Sequence, residues 1–247
     1  MSNTLTVSMR ITVESTGKVF DTLSDWGLAV GNNDYIGDPV QETNYINIPG
    51  ASAMLDLSEV ITGRPVFKYR PIKVLLGGRK KRLNWDAIIS QYRNEIEGQV
   101  VRLTFSNDKN FFWRGRVNIT NFNRVRELGQ FTLEIPQAEP YKYDIFTSED
   151  EWLWDPFDFE QGVIRYIGPV KLNNNSITVP KGGMLVVPVF EIDTIIGSLS
   201  VVANGNTYAL EIGENRFPSL LVAGAEEVVL EFKGQGTGTI KYRGGSL

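Results

Sequence analysis

Val100-Val101-Arg102-Leu103-Thr104-Phe105, then Ser106-Asn107-Asp108-Lys109-Asn110, then Phe111-Phe112-Trp113-Arg114-Gly115-Arg116-Val117-Asn118-Ile119 is the stretch on which the fold turns. Val101, Leu103 and Phe105 share one parity, and Val100, Arg102 and Thr104 the other. That period of two belongs to a strand with one wet face. Residues 106–110 are polar. After them Phe111, Trp113, Val117 and Ile119 lie on one face and Arg114, Arg116 and Asn118 on the other. Two alternating runs joined by a five-residue loop predict a β-hairpin.

The pattern spreads outward from there. Residues 4–13 alternate from Leu5 to Val13, another half-buried strand. Phe131, Leu133 and Ile135 begin a further strand that Pro136 is expected to stop, because proline cannot donate to a ladder. One helix interrupts the strands. Trp85, Ile88, Ile89, Tyr92 and Ile96 recur at helical spacing and should lie across a sheet, with Asn84 as N-cap and Gly98 as the stop. From Gly168 onward no helical period remains. Residues 184–192 are continuously apolar, as in a strand buried on both faces. Asn204-Gly205 predicts a tight hairpin between residues 199–203 and 208–212. Val228, Leu230 and Phe232 alternate, as do Ile240 and Tyr242. Gly234, Gly236 and Gly238 between them read as a hairpin turn. No helix follows to hold a pyrophosphate, so they are not a dinucleotide loop.

Charge divides the chain. Residues 1–143 carry 18 Lys/Arg against 15 Asp/Glu, and residues 144–247 carry 7 against 14, so the two ends present different surfaces. With 247 residues a two-domain organisation is expected. We read residues 1–147 as an N-terminal domain, 148–160 as an acidic linker and 161–247 as a C-terminal β-sandwich. The fold class is mainly β: a first sandwich with one helix and a belt-like extension, then a second sandwich. Residues 31–48, polar with Gly37, Pro39 and several Asn, are the belt candidate.

The composition also limits the chemistry. There is no histidine and no cysteine. That removes Ser-His-Asp and Cys-His nucleophiles, thiolate and histidine metal sites, and disulfides. There is no run of about 18 apolar residues, so no segment is expected to span a bilayer. Residues 1–13 hold no signal-peptide core, so synthesis in a cytosol is expected. Arg79-Lys80-Lys81-Arg82 is a basic cluster without the interleaved aromatics of a single-strand binder, and reads as a solvated loop entering the helix. In residues 149–160 the acids Glu149, Asp150, Glu151, Asp155, Asp158 and Glu160 stand beside Trp152, Trp154, Phe157 and Phe159. Nothing in the spacing fixes two carboxylates across a glycosidic bond or around a calcium ion. No residue is assigned a catalytic, cofactor-binding or metal-binding role, and no cofactor is expected.

Several segments in order carry a family resemblance: Asp25-Trp26-Gly27-Leu28, then Ile48-Pro49-Gly50, Leu55-Asp56-Leu57 and Thr62-Gly63-Arg64 leading to a long strand ending near Val74. The 85–96 helix follows, then Phe112, Gly115 and Arg116, then Pro140-Tyr141-Lys142, and finally Phe232-Lys233-Gly234-Gln235-Gly236 and Ile240-Lys241-Tyr242-Arg243-Gly244-Gly245. Together these resemble the distal tail proteins (Dit family) of siphophages, from phages and prophages of Gram-positive hosts.

The resemblance implies a structural role at the virion tail tip, with assembly in the host cytoplasm. It implies a hexameric ring built by the N-terminal domain. Above the ring sits the tail tube protein, and below it the tail-tip or tail-associated lysin protein. DNA passes through the lumen without specific binding, and no membrane contact is involved. It implies a galectin-like or carbohydrate-binding-module-like C-terminal sandwich. In some members a long arm on that sandwich holds receptor-binding or baseplate proteins, but the short loops of residues 161–247 argue against one here. The alternative of another class is a carbohydrate-binding module that adheres to cell-wall glycans. All five tryptophans precede residue 161, which weakens that alternative.

Overall fold

The computed structural model describes residues 7–31, 35–80, 84–151 and 165–247. The chain forms two compact units, residues 1–108 with 113–140, and residues 109–112 with 141–247. The sequence pattern placed the break at 147/148 instead.

The first unit contains β1 (Met9–Val13), β2 (Val19–Asp21), β3 (Ala29–Val30), β4 (Tyr35–Ile36), β5 (Tyr45–Ile46), β6 (Leu55–Asp56), β7 (Arg70–Arg79), α1 (Trp85–Ile96), β8 (Val100–Phe105), residues 113–116 of β9 (Phe111–Arg116), β10 (Asn118–Val125) and β11 (Leu128–Ala138). One antiparallel sheet runs β9-β8-β1-β2, and a second runs β10-β11-β7-β3 with β4 also on β7. Their inward faces and α1 share one apolar cluster, from Met9, Ile11 and Val13 to Leu133 and Ile135.

The 106–110 loop joins β8 to β9 as the alternation predicts. The second half of that run is two strands, however. β9 pairs with β8, whereas β10 pairs with β11 in the other sheet. Trp113, Val117 and Ile119 remain buried because the chain keeps its inward parity as it crosses between sheets, so the sequence shows no seam. Pro136 does not end its strand. β11 continues to Ala138 through a register shift between Ile135 and Ala138, the irregularity in which a residue without an N–H is tolerated. The long strand expected to end near Val74 runs on to Arg79.

Helix α1 buries Trp85, Ile89, Tyr92 and Ile96 and packs Ile88 partly, the expected face. Tyr92 stacks on Trp26 at 4.1 Å between centroids. The Trp85 indole donates from Nε1 to the Glu127 carbonyl at 3.0 Å and covers Gly129, where any Cβ would strike the ring. Asn84 occupies the N-cap position with helical dihedrals and makes no side-chain cap bond. Gly98, at φ +70°, turns the chain away from the helix.

The second unit contains β12 (Lys142–Asp144), β13 (Pro169–Asn173), β14 (Ser176–Val179), β15 (Val189–Ala203), β16 (Asn206–Leu210), β17 (Gly213–Arg216), β18 (Val228–Lys241) and β19 (Gly245–Ser246). Its sandwich is one sheet folded on itself. The long strands β15 and β18 pair along their length. One half of that pair carries β13 and β17 on its flanks, the other β14 and β16. Between the halves β15 makes two register shifts against β18, at Ile192/Thr194 and Ile196/Leu199.

That fold line explains the glycine run. Gly234, Gly236 and Gly238 are not a hairpin turn; they lie within β18, paired with Leu199, Ile195 and Ile192. A Cβ at each would collide with the carbonyl oxygens of Ser198, Thr194 and Glu191 respectively. Gly234 has φ +108°, and Asn174 clamps it from both sides, its N–H donating to the Gly234 carbonyl and its Oδ1 accepting from Gly234 N. The bulges bring two backbones closer than side chains permit, and glycine is what the contact requires.

Residues 184–192 are not one doubly buried strand. β15 begins at Val189, and Val186 makes only an isolated bridge to Val222. The Asn204-Gly205 hairpin forms as expected, with φ +51° and +77° and Ala203 opposite Asn206.

Candidate assembly surface

Residues 38–69 lead away from β7 and back to it within the first unit, and not one of them is buried. At the root Val40 N donates to Tyr69 O (2.7 Å) and Lys68 N to Val40 O (2.9 Å). Further out Glu42 N meets Val66 O (2.8 Å), and β5 pairs with β6. Between these two, Asn44 N donates to the Ser58 hydroxyl, and Ser58 N donates to the Asp56 carboxylate. The result is an extended two-stranded arm.

Many of its apolar side chains lie open to solvent. Val40, Tyr45, Ile46, Ile48, Met54, Leu55, Val60 and Ile61 are all exposed, Ile61 at 97% and Val60 at 69%. Ile46 and Leu55 are cross-strand partners and so share one face. An isolated two-stranded ribbon is marginal in water.

The belt candidate at residues 31–48 overlaps this arm over residues 38–48. Residues 29–30 and 35–36 belong to the sheet, against β7, and the arm spans 38–69. The Gly, Pro and Asn signals mark where the chain turns. They do not reveal a return strand some twenty residues later. At the arm's root Arg70 is buried with its guanidinium 4.6 Å over the Trp113 ring. Its Nε and Nη2 lack hydrogen-bond partners, and burial lowers its pKa against the opposing pull of Asp38. No sequence signal distinguishes Arg70 from the other arginines nearby.

The remaining sequence candidates are accounted for locally. Arg79 is exposed and pairs with Glu127 at 2.8 Å, while Lys81 and Arg82 lie outside the described residues. Glu149 is bound by Lys241 (3.1 Å), whose pKa is raised by this contact and a stronger one to Glu191 (2.6 Å). Asp150 accepts from the Thr147 backbone N–H (2.6 Å) and hydroxyl (2.7 Å), which hold its carboxyl below its usual pKa. Trp152, Trp154, Asp155, Phe157, Asp158, Phe159 and Glu160 lie outside the described residues. Among the described residues no three His, Cys, Asp or Glu gather as metal ligands, and no helix is long and apolar enough to cross a membrane.

The outer face of β1, β8 and β9 carries an ionic network. Glu14 sits between Arg114 (2.8 Å) and Arg102 (2.8 Å), and Arg114 also pairs with Glu139. The Arg114 hydrogen bond, helped by Arg102 and opposed by burial, holds the Glu14 carboxyl at about 2. In the second sandwich Phe190, Phe232 and Tyr242 are buried and Tyr208 packs on Phe217, so these strand rings serve the core.

Among the described residues the fold is two β-sandwich units, one helix and a two-stranded arm. The fold is similar to that of a solved structure, the crystal structure of the SPP1 Dit protein, described as a paradigm of the hub adsorption apparatus in phages that infect Gram-positive bacteria. The TM-score is 0.62 at 11% sequence identity, covering 95% of this chain and 98% of that one. No family model and no curated protein sequence matches the chain.

Proposed function

We propose that this chain is a non-enzymatic hub of a siphophage tail tip. Copies of it close into a ring, six by family resemblance, between the tail tube protein and the tail-tip or tail-associated lysin protein, and DNA passes through the lumen. The observation that carries this reading is the 38–69 arm, an extended ribbon with exposed apolar side chains on a chain whose fold matches a tail hub over almost its full length. Such a ribbon gains its burial only against another molecule. A ring lets every copy give one arm and receive one, which satisfies all contacts without an open end.

The test is assembly. Light scattering and electron microscopy at rising concentration, with and without the tail-tip partner, should reveal closed rings. Ile46→Asp with Ile61→Asp should abolish them while leaving the thermal unfolding of the body unchanged, because both side chains are exposed in the single chain. A strict monomer under all conditions, combined with glycan-array binding, would replace the hub reading with the carbohydrate-binding one.

A further inference from the structure

The acidic stretch reads in the sequence as a connection between two independent halves, yet its flanks meet inside one unit. Ser148 is fully buried. Its N–H donates to Tyr242 O (3.0 Å), and its hydroxyl donates to Ile240 O (2.7 Å) while accepting from Tyr242 N (2.8 Å). Its carbonyl accepts from Ile167 N (2.9 Å) and Gly168 N (3.2 Å), on the far side of the stretch. Every polar atom of Ser148 is thus matched by a group from residues 165–247.

Further contacts flank it. β12 pairs with β19, Lys142 opposite Ser246 and Tyr143 opposite Gly245, and Asp144 N donates to Gly244 O (3.0 Å). The Asp144 carboxylate pairs with Arg165, whose side chain is only 5% exposed. Gly244 leaves the space the guanidinium occupies, since a Cβ there would overlap Arg165 and the Asp144 carboxylate. Arg243 adds donors to the Asp144 and Ile145 carbonyls.

We propose that residues 141–150 act as a strand ligand of residues 165–247, so that the chain stays one particle after a break anywhere in 152–164. The recognition chemistry is that of an added β-strand. A backbone ladder supplies affinity, the Ser148 site and the Arg165 socket supply register, and the partner is an extended segment with a carboxylate four residues before a serine. Covalent continuity between the two segments adds effective concentration to these contacts.

The experiment uses the full chain with a specific protease site replacing residues 156–158. After cutting, gel filtration under native conditions should give one peak containing both fragments. Hydrogen exchange at the Ser148 and Tyr242 amides should stay within about tenfold of the uncut chain. Asp144→Asn leaves Arg165 buried without its counter-charge, and Ser148→Ala removes the hydroxyl bridge. Either variant should elute as one particle uncut and separate into two peaks once cut. Separation of the cut wild-type chain would overturn the proposal, as would cut variants that hold together as firmly as wild type. The cut wild-type chain decides the matter even where a variant does not fold. No tail partner is involved, so the result is independent of the hub reading.

Discussion

Replacing Gly236 by alanine tests whether the folded sheet of the second unit depends on backbone proximity. Gly236 needs no unusual dihedral, so an added methyl acts only through space. It would lie inside contact distance of the Thr194 carbonyl and 3.1 Å from Leu199 Cδ2. Backbone cannot rotate away as a flexible side chain can, so the full overpacking cost of about 1–3 kcal/mol is expected. Gly234→Ala adds the strain of φ +108° to a clash with Ser198 O and should cost at least about 1 kcal/mol more. Gly197→Ala is the control. It has φ +78° with nothing within 4 Å, so it bears only the left-handed cost of about 1 kcal/mol. Hydrogen exchange of β15 and β18 amides reads this unit directly. Each 1.4 kcal/mol appears as about a tenfold loss of protection. If Gly236→Ala left protection within about twofold of wild type, the close-approach account of the glycine run would be wrong.

Two other outcomes concern the first unit. Ile89 is buried between α1 and the sheets, so Ile89→Ala should lower stability by about 2–5 kcal/mol in urea unfolding, whereas a change under about 0.5 kcal/mol would place that face in solvent. Glu14 has a folded pKa of about 2 against an ordinary 4.5. Its stabilisation is therefore complete above about pH 4.5 and disappears as pH falls toward 2. Arg102 and Arg114 are partly exposed and screened, so the contribution should be only about 1 kcal/mol. Glu14→Gln should show that deficit at pH 7 and lose it by pH 2, and an equal deficit at both values would refute the assignment.

Much of this protein is legible in the order of its residues. Alternation at Val101, Leu103 and Phe105, the helical spacing of Trp85, Ile89, Tyr92 and Ile96, and Asn204-Gly205 each specify local structure, because period and turn chemistry act over a few residues. What sequence could not decide depends on partners distant in the chain. Val117 continues a perfect alternation while the strand changes sheets, since inward parity is the same on both. Pro136 is a stop in isolation and a bulge beside β7. Gly234, Gly236 and Gly238 imitate a turn until β15 lies against them. The arm's length is set by a return strand, and Ser148 joins the second unit through bonds to residues more than ninety positions away. Local patterns record what a residue prefers. Which backbone it meets is fixed by long-range pairing, whose loop-closure cost and reward the local sequence does not encode.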